Sequence, residues 1–218
     1  MAGSLAGRRV VVTAGGTREP IDPVRFLGNR SSGRMGNALA TEAMNRGATV
    51  VLVTTVAPPA PHPRLVVLAV DTADEMNNAV LAALDGAAVL MMAAAVADYR
   101  VARVATSKMK KTAKLRLDLV PTVDILRSLS TATVRRGVFV VGFAAETDDL
   151  EANAQKKLRE KKLDLIVLND VGSPGIGMGS DDNAVTILAP DGARWEVPRM
   201  PKPEVAVAVW DAVSSRLV

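Results

Sequence analysis

Cations, hydroxyls and glycines crowd one early stretch of the chain, from Thr13 to Gly36. Within it, Ser31-Ser32-Gly33 can open a helix with hydroxyls and unpaired backbone N–H groups, which suits an anion. Arg25, Arg30 and Arg34 add guanidinium groups that match a phosphate or carboxylate. Asn29 is either a neutral donor able to steady charge developing on an acyl oxygen or a turn-forming residue. Further on, Lys108, Lys110 and Lys111 form a basic cluster, and Lys157 and Lys161 fall four apart on one helix face. Taken singly, each group also reads as ordinary solvated charge. Together they offer what a helix terminus lacks, because its partial charge of about half a unit cannot balance a nucleoside triphosphate. Asp98 follows an apolar strand and can accept a hydrogen bond from a ligand, hold a metal or cap a loop. Phe143, at another strand end, can pack on a base or plug the core.

Several chemistries are excluded. There is no Cys and a single His, so disulfides, thiolate metal sites and His-based triads drop out. No apolar run approaches about 18 residues, so no membrane span is expected. The net charge of +4 is mild, and aromatics at 3% leave little for base stacking, so a small anionic substrate is favoured over nucleic acid. There is no G-x-x-x-x-G-K-[ST] phosphate loop. Gly15-Gly16-Thr17 follows the first strand but lacks the third glycine of the dinucleotide fingerprint. Gly175-x-Gly177-x-Gly179 comes too late in the chain and reads as a flexible loop.

The elements that must position these groups follow from periodicity. Strands are expected at Arg9–Thr13, Thr49–Thr54, Leu65–Val70, Ala87–Met92, Gly137–Gly142 and Leu163–Leu168. They alternate with helices at Ser32–Arg46, Thr72–Leu84, Val123–Arg135 and Asp148–Lys162. This alternation predicts an α/β fold, a mostly parallel sheet with helices on both faces. A hairpin around Asp191-Gly192 and a closing helix over 203–217 complete it. Between Thr13 and Ser32 a long polar loop is expected. Lys114–Leu119 alternates charge with Leu, which predicts a half-buried strand in an arm outside the main sheet. No second domain boundary is apparent over 8–218.

Six segments, in order, resemble phosphopantothenoylcysteine synthetase, the second activity of the bacterial bifunctional coenzyme A biosynthesis protein. They are residues 15–25, from Gly15-Gly16-Thr17 to Pro23-Val24-Arg25; 29–36, from Asn29-Arg30-Ser31-Ser32 to Gly36; 93–99, from Ala93 to Asp98-Tyr99; Lys108-Met109-Lys110-Lys111; 142–147, from Gly142-Phe143 to Thr147; and Asn169-Asp170-Val171. The resemblance implies a Rossmann-like fold and a two-step ligation. CTP with Mg2+ activates the carboxylate of 4′-phosphopantothenate as an acyl-cytidylate, and L-cysteine then displaces CMP.

By the same resemblance, CTP would be bound by Met92, Ala93, Ala94, Asp98, Lys108, Val123, Asp124, Ile125, Leu126, Phe143, Lys157 and Lys161. Phosphopantothenate would be bound by Gly16, Arg25, Asn29, Ser31 and Ser32, with Asn29 and Lys108 catalytic and the metal ligands unassigned. Two departures stand out: Thr122-Val123 replaces a frequent Asn-Pro, and Arg34 replaces a frequent Lys. The resemblance also implies a homodimer joined through the arm at 101–120 and a flavin-dependent decarboxylase domain, fused or associated, which makes residues 1–7 read as a linker or expression remnant before the synthetase domain over 8–218; the absence of Cys fits a cytoplasmic setting. A nicotinamide-dependent reductase and a non-catalytic nucleotide-binding module are the competing readings. The reductase needs an acid near the end of the second strand, where Thr54-Thr55-Val56 supplies none.

Overall fold

The computed structural model describes residues 3–111, 114–146, 150–170 and 179–217. The chain runs through β1 (Arg9–Ala14), β2 (Arg18–Pro20), β3 (Phe26–Gly28), α1 (Arg34–Asn45), β4 (Thr49–Thr54), β5 (Leu65–Ala69) and α2 (Ala73–Ala83). It continues through β6 (Ala87–Met92), β7 (Tyr99–Val101), β8 (Leu119–Pro121), α3 (Ile125–Leu129), β9 (Phe139–Glu146) and α4 (Leu150–Glu160). It ends with β10 (Leu165–Asp170), β11 (Asp182–Leu188), β12 (Arg194–Pro201) and α5 (Lys202–Ser214).

Eight strands form one sheet in the order β12-β11-β10-β9-β6-β1-β4-β5. Every pairing from β5 to β10 is parallel, and β11 runs antiparallel to both of its neighbours. The strands are apolar in succession because both faces are covered. Val10, Val12, Val50 and Leu52 point to a core shared with α1 and α5, where Leu39, Ala43, Val209 and Trp210 are buried. The Trp210 indole there donates to the Leu39 carbonyl at 2.9 Å. Val11, Val51 and Val53 point to the opposite core, against Met76 and Val80 of α2. Thr72 starts α2 with a capping box closed by Glu75, as its sequence position suggests.

Four expectations are corrected. The long loop contains a hairpin, with Arg18 paired to Gly28 and Pro20 to Phe26. The helix expected over Val123–Arg135 is a five-residue α3 followed by a 3-10 turn at Thr133–Arg135. There the Ser128, Ser130 and Thr131 hydroxyls donate to carbonyls three residues back, competing with helix propagation. Among the described residues of the arm, strand pairing is confined to Leu119–Pro121 with Tyr99–Val101, and Leu115 stands 52% exposed. Alternation alone does not make a strand where only three residues find a partner. Finally, Leu5, within the stretch read as a linker, is fully buried and donates its N–H to the Arg46 carbonyl.

Candidate active site

The topology opens a crevice at one place. From β1 the chain passes through α1 to β4 and β5 on one side, then crosses back through α2 to β6 on the other. Connections leave the carboxyl ends of β1 and β6 in opposite directions, which is where ligands bind in open α/β sheets. Gly15 makes the first turn with φ 87°; a Cβ there would lie 2.2 Å from Thr55 Oγ1. That hydroxyl donates to the Gly16 carbonyl at 2.8 Å. The loops after β1 and β6 are then joined group by group. Ala95 N donates to the Gly15 carbonyl (2.8 Å), Ala94 N to Thr13 Oγ1 (3.0 Å) and Ala97 N to Thr17 Oγ1 (2.8 Å). Asn29 Nδ2 donates to the Val96 carbonyl at 3.0 Å and lies 3.4 Å from that of Ala95. Thr122, at the departure from Asn-Pro, uses its hydroxyl on the Ala97 carbonyl and its N–H on that of Asp98.

Two chambers flank this seam. The larger, about 420 Å³, is lined by Asn29, Met92, Asp98, Val123, Asp124, Ile125, Leu126, Phe143, Lys157 and Lys161, with Ala94 to Ala97 as its floor. Asp124 caps α3 by accepting from Arg127 N at 3.1 Å, and its other oxygen pairs with Lys161 at 3.1 Å. That pair fixes one lysine at the chamber wall, and Lys157 lies one turn before it on α4.

The smaller chamber, about 130 Å³, is lined by Ser31, Ser32, the first turn of α1, Ala93, Asn169, Asn183 and Lys202. Ala94, Ala95, Phe143 and Ala144 belong to both chambers, so they are two ends of one cleft. Gly33 precedes α1 with φ 72° and supplies no side-chain cap, leaving the first-turn N–H groups available. Gly36 lets α1 approach β1; a Cβ there would stand 2.5 Å from that of Ala14. Arg34 reaches Asp181 at 2.7 Å and the Gly179 carbonyl at 3.0 Å. Lys202 is buried and donates to the Ser180 carbonyl. Burial pushes its ammonium pKa down and Arg34 adds to that, against the opposing pull of Asp181 and Asp182. Asn169 Oδ1 is buried with no partner among the described residues. An anion entering this chamber would meet the first-turn backbone amides of α1, a guanidinium and an ammonium.

Not every expected residue joins the cleft. Gly16 lies behind the seam, where a Cβ would be 2.8 Å from the Asn29 carbonyl, so it shapes the wall rather than lining it. Arg25 lines a separate groove with Arg18, Asp71 and Glu75. Its guanidinium is committed to Asp22 (3.3 Å) and to the Met109 carbonyl (3.3 Å). Lys108 lines neither chamber within the single chain. Among the lining residues that sequence reasoning left out of the binding set, Lys202, Arg34, Asn183 and Asn169 carry polar side chains into the smaller chamber's wall. Lys202 begins the last helix between two prolines, and nothing in its local pattern signals a site. Gly175, Gly177, Thr147 and Val171 lie outside the described residues. Among the described residues there is no cluster of three or more His, Cys, Asp and Glu able to hold a metal ion, and no helix long and apolar enough to cross a membrane.

Comparison with known proteins agrees with this architecture. The family model described as DNA/pantothenate metabolism flavoprotein C-terminal domain matches residues 5–217. The coenzyme A biosynthesis bifunctional protein CoaBC of Bacillus subtilis is 44% identical over 213 residues, covering 97% of this chain and 52% of its own. The protein of the same name from Vibrio vulnificus is 46% identical over 194 residues, covering 87% and 48%. The chain therefore spans about half the length of the curated relatives it matches. The crystal structure of the C-terminal domain of a CoaBC protein superposes with a TM-score of 0.81 at 38% identity, covering 99% of this chain and 98% of that one. With the sheet order, the switch-point cleft and these matches in agreement, the chain belongs to the family of DNA/pantothenate metabolism flavoprotein C-terminal domains.

Proposed function

We propose that this chain joins 4′-phosphopantothenate to L-cysteine at the expense of CTP, forming 4′-phosphopantothenoylcysteine, CMP and pyrophosphate. One observation carries the reading: a single cleft with cationic groups at both ends and a neutral junction formed by the residues common to both chambers. Lys157 and Lys161 stand at the larger end, Arg34 and Lys202 at the smaller, with Ala94, Ala95 and Phe143 between. Such a cleft suits two phosphorylated substrates that must meet in the middle. It also agrees with the name of the curated relatives, coenzyme A biosynthesis proteins.

In this reading CTP occupies the larger chamber. Asp98 and the backbone at Ala94 address the cytosine edge, Phe143 packs beside the nucleotide, and Lys157 and Lys161 take the phosphates. Phosphopantothenate lies in the smaller chamber with its phosphate towards Arg34, Lys202 and the α1 amides, which turns its carboxylate to the junction. A carboxylate oxygen attacks the α-phosphorus, the bond to pyrophosphate breaks, and an acyl-cytidylate forms. The cysteine amine then attacks the acyl carbon, the bond to CMP oxygen breaks, and the amine loses a proton. One Asn29 amide hydrogen is taken by Val96, and the other, held only by the 3.4 Å contact, can turn to the acyl oxygen. Lys108 is assigned to the nucleotide phosphates by family resemblance. Mg2+ would enter with CTP and would neutralise part of the triphosphate charge. The working unit is a homodimer in the cytoplasm, with a flavin-dependent decarboxylase domain fused or associated. Incubation with CTP, Mg2+, phosphopantothenate and cysteine should release pyrophosphate before cysteine is added and CMP only afterwards. No pyrophosphate from CTP and phosphopantothenate would overturn the reading.

A further inference from the structure

Asp22 is a buried carboxylate outside both chambers, and the ligation chemistry makes no direct use of it. Its side chain is fully shielded from solvent, and its two oxygens serve different parts of the molecule. Oδ1 accepts from Val24 N at 2.8 Å and Arg25 N at 2.9 Å, closing the turn that begins at Asp22 itself. Oδ2 accepts from Met109 N at 3.2 Å and from the Arg25 guanidinium at 3.3 Å. Arg25 extends across to the Met109 carbonyl, also at 3.3 Å, and Ala105 N donates to the Ile21 carbonyl at 3.0 Å. The stretch 105–109 is thus held at both ends to the loop 21–25, and Lys108 lies inside the held stretch. Residues 103–111 carry no regular secondary structure of their own. Their placement depends on such bonds.

We infer that Asp22 is a positioning residue: through Oδ2 and Arg25 it tethers the Lys108 segment, and so sets the rate at which Lys108 supports acyl-cytidylate formation. The second half of this statement rests on the proposed role of Lys108. The separation of the two oxygens makes the inference testable. In Asp22→Asn the amide oxygen can keep the turn at Val24 and Arg25. The amide nitrogen then meets the Met109 N–H and the Arg25 guanidinium, donor against donor. Asp22→Ser is a second variant, since a serine hydroxyl can also close the turn and is too short to reach Met109.

The first measurement is tryptic cleavage of the folded chain after Lys108, Lys110 and Lys111, with sites read by mass spectrometry. Loss of a hydrogen bond to a charged partner should speed these cuts about tenfold or more in either variant, with cleavage after Arg9 and Arg46 unchanged. Wild-type cleavage in both variants overturns the inference. The second measurement is pyrophosphate release by Asp22→Asn, Lys108→Gln and the double variant. If Asp22 acts through Lys108, the double variant is no slower than Lys108→Gln alone, within about twofold. A double variant slowed by the product of the two single effects overturns the inference. If Lys108→Gln releases pyrophosphate at the wild-type rate while Asp22→Asn is cut faster, the tether stands and the functional reading of Lys108 is what fails.

Discussion

Lys202 and Asp22 show how one fold handles buried charge in two ways. At Asp22, burial opposes the charge, but the N–H groups of Val24, Met109 and Arg25 outweigh it, helped by the Arg25 charge, and the carboxyl is held below its ordinary pKa. The folded state therefore binds this proton less readily than the unfolded chain. The resulting stability is complete above the ordinary aspartate value and is lost as pH falls through the lowered one. The melting-temperature gap between wild type and Asp22→Asn should be full at neutral pH and shrink below about pH 4. A gap that widens with acid would contradict that sign. At Lys202 burial dominates and the ammonium pKa is lowered, so the charge is carried at some cost that a bound anion would offset. Lys202→Met should raise the KM for phosphopantothenate by about tenfold to a hundredfold, the worth of a charge-assisted hydrogen bond. CTP binding, read by calorimetry, should stay unchanged. The opposite pattern would exchange the two chambers. Neither role was legible beforehand, because Lys202 meets Arg34 and Asp181 only when α5 starts beside α1.

At the scale of elements, α1 is the part that turns sequence into a site. Its Leu39, Ala40, Ala43 and Met44 are buried, and Trp210 of α5 closes over its middle. Its first turn has to come close to the end of β1, and Gly36 is the residue that permits it. A methyl group at Gly36 must push α1 away from Ala14 and Thr13, at a cost of about 1–3 kcal/mol for overpacking. For a chain of this length that is a drop in Tm of roughly 2–12 °C, measurable by calorimetry. Since the same displacement shifts the first-turn amides, Gly36→Ala should also weaken phosphopantothenate binding more than CTP binding. An unchanged Tm would show that the helix has slack. The helix itself was plain from its periodicity, whereas its close approach to β1 depended on the tertiary packing.

At the scale of the whole molecule, the arm presents a row of exposed leucines. Leu115, Leu117 and Leu119 are 52%, 36% and 46% exposed, and the run that carries them has no strand pairing before Leu119. Exposed leucines at regular spacing beside a short two-stranded sheet invite pairing with another copy. Leu115→Glu with Leu117→Glu should lower both the mass seen by light scattering and the rate of ligation. A fully active monomer at assay concentration would remove the arm from any dimer contact. The same event would complete the half-buried strand that the charge–Leu alternation predicts.

Local periodicity determined most of the architecture. Successive strands of Val and Leu, separated by helices with one apolar face, allow little besides a parallel sheet covered on both sides, because each strand must bury two faces and each helix one. Of the larger chamber, Asp98 and Phe143 were accessible from their places at strand ends, which converge on one edge of such a sheet, whereas Val123, Asp124, Ile125 and Leu126 were named only through the family resemblance. What only the tertiary structure decided is which distant groups share an oxygen or a cavity. Asp22 with Met109 and Asn29 with Val96 are contacts between segments far apart in sequence, and Lys202 and Arg34 line one chamber from segments equally distant. No periodicity encodes them, because they depend on the order of strands in the sheet and on how closely helix and strand approach.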